Sequence, residues 1–302
     1  MEVLAVEHAK TAFPAGPQGP QVMQPFPAAL PAEVTDPFLM CDEFGPQEAD
    51  GSSEGIPWHP HRGFHAVTYL KSGQGNHADS LGHHGRMKAG GLQWMSVGSG
   101  IEHTEGGGAP KGTVVHGFQI WVNLPAANKM DDPAYNEIPP EDVPEISTGN
   151  SCVMRLLAGN LTSPSGNHSA TFETKTTVQM IDFEIGPGGS AEHAVPAEME
   201  TVLCYLYRGS GKIQGRAVGG QDLVQLNGGA EDRHFTVEAG AEGLGFILFA
   251  GKRLNEPIAW HGPFVMNTQT QIRQCFQDYQ KGQLFRKKAD FDYRAAHAAR
   301  KS

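Results

Sequence analysis

At 302 residues the chain has room for two domains of roughly 150 residues, and 38 Gly and 21 Pro against 19% charged residues favour short strands and tight turns over helical packing. A formal net charge of -10 sets the surface against a polyphosphate backbone and excludes a general nucleic-acid binder. Cys41, Cys152, Cys204 and Cys275 form no close pairs and no CxxC spacing, so neither a disulfide framework nor a thiolate zinc site is signalled. The N-terminus lacks a signal-peptide pattern, and no stretch approaches the ~20 apolar residues of a membrane span, so a cytoplasmic protein is expected, or a nuclear one in a eukaryote.

Residues 1 to about 45 are Pro-rich and read as an entry segment with two short strands. His65 to Leu70 reads as a strand ended by Ser72-Gly73-Gln74-Gly75. Farther on, Phe118, Ile120, Val122 and Leu124 alternate with Gly117, Gln119, Trp121 and Asn123 as in a strand with one face toward a barrel interior. From Pro125 to Pro144 the pattern breaks into Asn, Asp and Pro, which predicts a linker between domains at 1–135 and 145–302. Strands follow at Val178 to Ile185, Thr201 to Tyr207 and Gly245 to Ala250. A helix then places Ile272, Cys275, Phe276 and Tyr279 at i, i+3, i+4 and i+7, with Cys275 in the core, capped by Asn267 or Thr268 and ended by Gly282. The basic run Arg286 to Lys288, with Arg294, reads as a solvated helix or tail.

Tyr69-Leu70-Lys71-Ser72-Gly73-Gln74-Gly75 has a partner in Tyr205-Leu206-Tyr207-Arg208-Gly209-Ser210-Gly211, which predicts that the two domains are copies of one unit. The same offset carries His59 and His61 onto Val195 and Ala197, which cannot ligate a cation. The second copy is therefore expected to hold no metal.

Eight of the 14 histidines fall between His59 and His116. His59 and His61 are i and i+2, so on a strand both leave the same face, and His103 with Glu105 repeats that spacing. Three neutral nitrogens and one carboxylate suit iron, nickel, copper, cobalt, manganese or zinc in a site with open positions. His77, His83, His84 and Asp79 surround a Gly-rich turn and read as solvated loop groups or the lining of a site mouth. His116 reads as a packed strand residue, and Trp94 and Met95 as barrel core.

Three blocks in order resemble the N-terminal half of pirins: His59-Pro60-His61-Arg62-Gly63-Phe64, then Gly91 to Met95 leading into Gly100 to Glu105, and then Gln119 to Pro125. Leu248 to Ile258 and Gly262 to Thr268 are similar to that family's C-terminal signature. The resemblance implies an all-β bicupin of two jelly-roll-like barrels with a few short helices, one near the C-terminus. It further implies one mononuclear metal, commonly iron, on His59, His61, His103 and Glu105, and quercetin 2,3-dioxygenase activity on a flavonol with dioxygen, Glu105 taking the hydroxyl proton. The alternative it carries is a metal- or redox-dependent module that binds a protein partner as a transcriptional co-regulator. One departure is His65, which stands where pirins usually have Glu.

Overall fold

The computed structural model describes residues 1–13, 22–163, 165–227 and 233–301. It is built mainly of antiparallel strands and divides into two compact units, Met1–Glu43 with Glu141–Leu254, and Phe44–Pro140 with the chain from Asn255 onward. A break near residue 140 is where the Pro-rich stretch suggests one. The division at 1–135 and 145–302 nevertheless differs from the observed one, because both chain ends change places. Val3–His8 pairs with Asp222–Leu226, satisfying its backbone within the first of these units. The helix Gln269–Gln280, expected in the later barrel, belongs instead with Phe44–Pro140, where the Arg62 guanidinium donates to Asp278 Oδ2 at 2.8 Å and to the Leu284 carbonyl at 2.9 Å.

In the first unit one sheet runs in the order Val3–His8, Asp222–Leu226, Thr201–Ile213, His234–Gly251, Val178–Ile185, Cys152–Ala158, Glu145–Thr148. Its interior is an apolar cluster that includes Val195, Phe183, Phe235 and Phe246. His193 is buried there between Phe183 and Phe235 and bonds Gln179 Oε1 at 2.9 Å through Nε2. Burial holds its imidazole down at about 4, with the nearby His234 acting the same way, so it is neutral. Position 195 is thus filled by packed hydrocarbon. Native mass spectrometry or elemental analysis is expected to give one metal per chain; a reproducible value near two would overturn the assignment of all binding to the other unit.

The second unit holds two larger sheets beside the short hairpin Ala259–His261/Phe264–Met266. Ile56–His61, Ile101–Gly106, Gln74–Asp79 and His84–Lys88 form one; Ala134–Ile138, Leu92–Ser96, Phe64–Ser72 and Val114–Asn123 are consecutive in the other. Ala134–Ile138 corrects the reading of 125–144 as linker alone. It is an edge strand with Pro133 before it and Pro139 after it, positions where a missing N–H costs the sheet nothing. The late helix spans Gln269–Gln280, and Thr268 caps it in a capping box with Gln271.

The repeat has a backbone cause. Gly73 and Gly209 occupy corresponding positions at φ of +81° and +74°, a conformation that L side chains rarely adopt. A Cβ at Gly209 would also lie 2.1 Å from the Gly243 carbonyl oxygen. Gly209→Ala is expected to lower stability by more than about 1 kcal/mol, read as a drop in the urea midpoint at unchanged slope. An unchanged midpoint would mean that the turn tolerates a side chain.

Candidate metal centre

Strands Ile56–His61 and Ile101–Gly106 pair antiparallel with His103 directly opposite His59. The i, i+2 spacing then brings His61 to the same face, and the ligand nitrogens of His59, His61 and His103 lie within 4.8 Å of one another. The turn after His61 is set by Gly63 at φ +95°, where a Cβ would meet the Val265 carbonyl oxygen at 2.0 Å. Arg62, turned the opposite way, donates through Nε to the Ser99 carbonyl at 2.7 Å.

The ring hydrogen bonds leave nitrogens free on the shared face. His59 Nδ1 donates to the Pro57 carbonyl at 2.7 Å, and His61 Nδ1 lies 3.4 Å from the Pro263 carbonyl, which leaves Nε2 of each for a ligand. Burial, reinforced by the neighbouring His59, pushes His61 down to about 3. Burial likewise holds His103 well below the ordinary imidazole range, with His61 and His59 adding to the effect. Neither nitrogen of His103 has a hydrogen-bond partner, although the residue is 1% exposed. An imidazole left wholly unpaired in the interior costs about 1–3 kcal/mol, and a divalent cation on the shared face would engage one of its two nitrogens.

Glu105 lies outside the three-histidine cluster. A register shift falls between His103 and Glu105 in the ladder with Ile56–His61, whereas on the other side Glu105 pairs regularly opposite His77. The residue is buried, and its carboxylate accepts from the Thr68 hydroxyl at 3.1 Å and from the Gln119 amide at 2.7 Å. Thr68 therefore faces the site, and pleating turns His65, three residues earlier, to the opposite side. There it bonds Ser96 Oγ at 3.0 Å and lies against Trp94.

The polar side of Val114–Asn123 looks into the site. Gln119 reaches Glu105, and Trp121 lies 5.2 Å, ring to ring, from His61, stacked on Phe64 at 4.1 Å and flanked by Trp260 at 5.6 Å. Phe118, Ile120 and Val122 fill the other, fully buried face. His77 and Asp79 also correct the reading of their segment as a solvated loop, because both are buried on the strand beside His103. Asp79 accepts from His77 Nε2 at 3.2 Å, from His83 Nδ1 at 2.9 Å and from the backbone N–H groups of Leu81 and His83. Burial alone would raise the Asp79 carboxyl; the donors from His77 and His83 outweigh it and hold it below the usual range. His77 ring-stacks on Tyr135 at 4.3 Å and lies 5.7 Å from His103. His116 packs near Phe118.

Two strand-built units, one with a three-histidine cluster, half-buried at His59 and buried at His61 and His103, that could hold a divalent cation, define a bicupin with a candidate mononuclear metal centre. The sequence matches the Pirin family profile over residues 19–122 and the Pirin C-terminal cupin domain over 180–285. It is 39% identical to a candidate quercetin 2,3-dioxygenase of Pseudomonas aeruginosa, over 83% of this chain and 88% of that protein. It is 37% identical to a pirin-like protein of Solanum lycopersicum, over 82% and 81% of the two chains. The chain belongs to the pirin family. Among solved structures, a quercetin 2,3-dioxygenase from Acinetobacter baumannii superposes with a TM-score of 0.84 at 29% identity, covering 95% of this chain and 98% of that one. The bacterial pirin YhhW from Escherichia coli, in complex with nickel(II), shares the fold at a TM-score of 0.61 and 18% identity, over 82% and 99% of the chains.

Proposed function

We propose that this protein is a flavonol 2,3-dioxygenase of the quercetinase type, with one divalent metal held by His59, His61, His103 and Glu105. The observation that carries the reading is the buried, unpartnered imidazole of His103 among two histidines whose Nδ1 atoms face backbone carbonyls. This is the outer-shell arrangement that metal-ligating histidines use. When bound, a divalent cation supplies Lewis-acid polarisation of a chelating 3-hydroxy-4-keto edge; iron(II) is favoured, with nickel, copper, cobalt, manganese and zinc also suited to the donor set.

Glu105 has a second role in this reading, accepting the 3-hydroxyl proton of the flavonol. Thr68 and Gln119 hold its two oxygens in place, so the base is oriented before substrate arrives. Trp121, backed by the fully buried Phe64, offers an aromatic face next to His61 for a flat polyphenol. The overall reaction takes up one dioxygen per flavonol and releases carbon monoxide and an aryl-ester acid, so quercetin added aerobically to iron- and nickel-loaded protein should lose its flavonol absorbance band while carbon monoxide appears. No turnover with any metal would overturn the enzyme reading and leave a metal-dependent binding module in its place.

A further inference from the structure

The strands that carry the three histidines have a second face, and the C-terminal helix Tyr293–Lys301 sits on it. With His59, His61 and His103 turned inward, pleating sends Trp58 and Glu102 outward. Glu102 is nevertheless 1% exposed, and a carboxylate that deep needs a counter-charge. Arg294 supplies it, with Nε 3.2 Å from Glu102 Oε2 and Nη2 in an ion pair with Oε1, while the Tyr293 hydroxyl donates to Oε2 at 2.9 Å. Trp58 is gripped by the same helix. Its ring lies 5.4 Å from that of Tyr293 and 5.8 Å from that of His297, and the Arg294 guanidinium is 5.7 Å from its centroid.

The segment leading to the helix is fastened too. The Ala289 N–H donates to the Ser80 carbonyl at 2.7 Å, and Ser80 Oγ accepts the Glu102 N–H at 3.1 Å. Phe291 packs so closely on Gly82 that a Cβ there would lie 2.8 Å from the ring. At its far end the helix stacks His297 on His84 at 5.7 Å. From Ala289 to His297 the chain thus crosses strand Ile56–His61, strand Ile101–Gly106 and the turn after Gln74–Asp79.

We propose that this C-terminal strap is a clamp on the metal centre, in which Arg294, acting through Glu102, is a positioning residue that holds the two histidine-bearing strands at ligating distance. The proposal rests on the metal assignment made above. Neither Arg294 nor Glu102 reaches the ligand face; each acts by fixing the backbone on which His59 and His103 stand opposite one another. Without the clamp the buried Glu102 carboxylate must find water, and the strand between Ile101 and His103 must move outward to let it.

The test uses the full chain loaded with nickel(II), Arg294→Ala, Arg294→Lys, and a chain ending at Lys288. Release of nickel to a chromogenic chelator is followed over time, and amide hydrogen exchange in residues 101–106 is followed in the metal-free protein. Arg294→Ala and the shortened chain are expected to release nickel on the order of 10-fold faster, as loss of an outer-shell support does, and to exchange faster at 101–106. Arg294→Lys, which keeps the charge but not the fork, should fall between them and the parent. Glu102→Gln in the Arg294→Ala background removes the stranded charge and should restore much of the parent rate, which a merely structural helix would not do. Arg294 has a 54% exposed side chain, so its replacement carries the test alone if the shortened chain does not fold. Unchanged release and unchanged exchange in Arg294→Ala would overturn the clamp. A parent chain that binds no metal would overturn the metal assignment instead, with the exchange arm still deciding whether the strap holds the strands.

Discussion

His103→Ala is expected to strip the metal from the protein while leaving its far-ultraviolet circular dichroism unchanged. The loss in affinity should exceed the roughly 10–100-fold that follows removal of an outer-shell partner, because His103 is the one histidine of the cluster with both nitrogens unengaged. His59→Ala and His61→Ala should act in the same direction. The fold should survive since the strands around the site stand on apolar packing, with Phe64, Val67, Phe118, Ile120 and Val122 fully buried. A second result separates ligation from packing. In metal-free protein the roughly isosteric His103→Leu should raise stability by about 1–3 kcal/mol, because it deletes an imidazole with no protein partner in a buried position. Metal content equal to the parent in all three alanine variants would remove the site as assigned. A large loss of stability in metal-free His103→Leu would show that the imidazole is held for packing and not for a cation.

The histidine pairs could be read from the sequence because their signal is local: i, i+2 spacing on a strand puts two side chains on one face regardless of what the strand later pairs with. What surrounds them depends on register, which no local pattern encodes. Thr68 and Gln119 belong to two neighbouring strands and meet Glu105 only because Phe64–Ser72 and Val114–Asn123 align Thr68 with Gln119. Alternation along Val114–Asn123 is plain, but it does not say which side meets the site. Both sides are largely buried, and it is the one bearing Gln119 and Trp121 that faces Glu105 and His61. His77 and Asp79 were hidden by the glycines near them, which signal turns, whereas Gln74–Asp79 is a strand between two partners. The exchange of chain ends between units was hidden for the same reason. Val3–His8 and the segment around Arg294 find their partners more than 190 residues away, at Asp222–Leu226 and Glu102. His65 stands where a ligand is common in related barrels, yet its neighbour three positions on, Thr68, fixes it on the far side of the strand.

Glu105→Gln is expected to retain metal through the three histidines while losing flavonol turnover by about 10²–10⁴-fold, the range for removing a positioned general base. The local geometry gives the substitution a clean interpretation. Oε1 accepts from the Gln119 amide and Oε2 from the Thr68 hydroxyl, and that hydroxyl also lies 3.4 Å from Gln119 Oε1. A glutamine at 105 can keep its carbonyl oxygen toward the Gln119 amide and turn its own NH2 toward Thr68, whose hydroxyl then rotates to donate to Gln119 Oε1. Every partner stays satisfied, so the variant should fold and bind the three-histidine metal with no buried group left unpaired. The change is confined to the ability to take a proton. If Glu105 is also a ligand, metal affinity falls as well, since a neutral amide oxygen is a weaker donor than a carboxylate. Turnover should therefore be measured at saturating metal, with KM and kcat separated. A loss confined to kcat at full metal occupancy identifies the base. Equal rates for variant and parent would show that the flavonol proton goes elsewhere, and a rate restored simply by added metal would assign Glu105 to ligation alone.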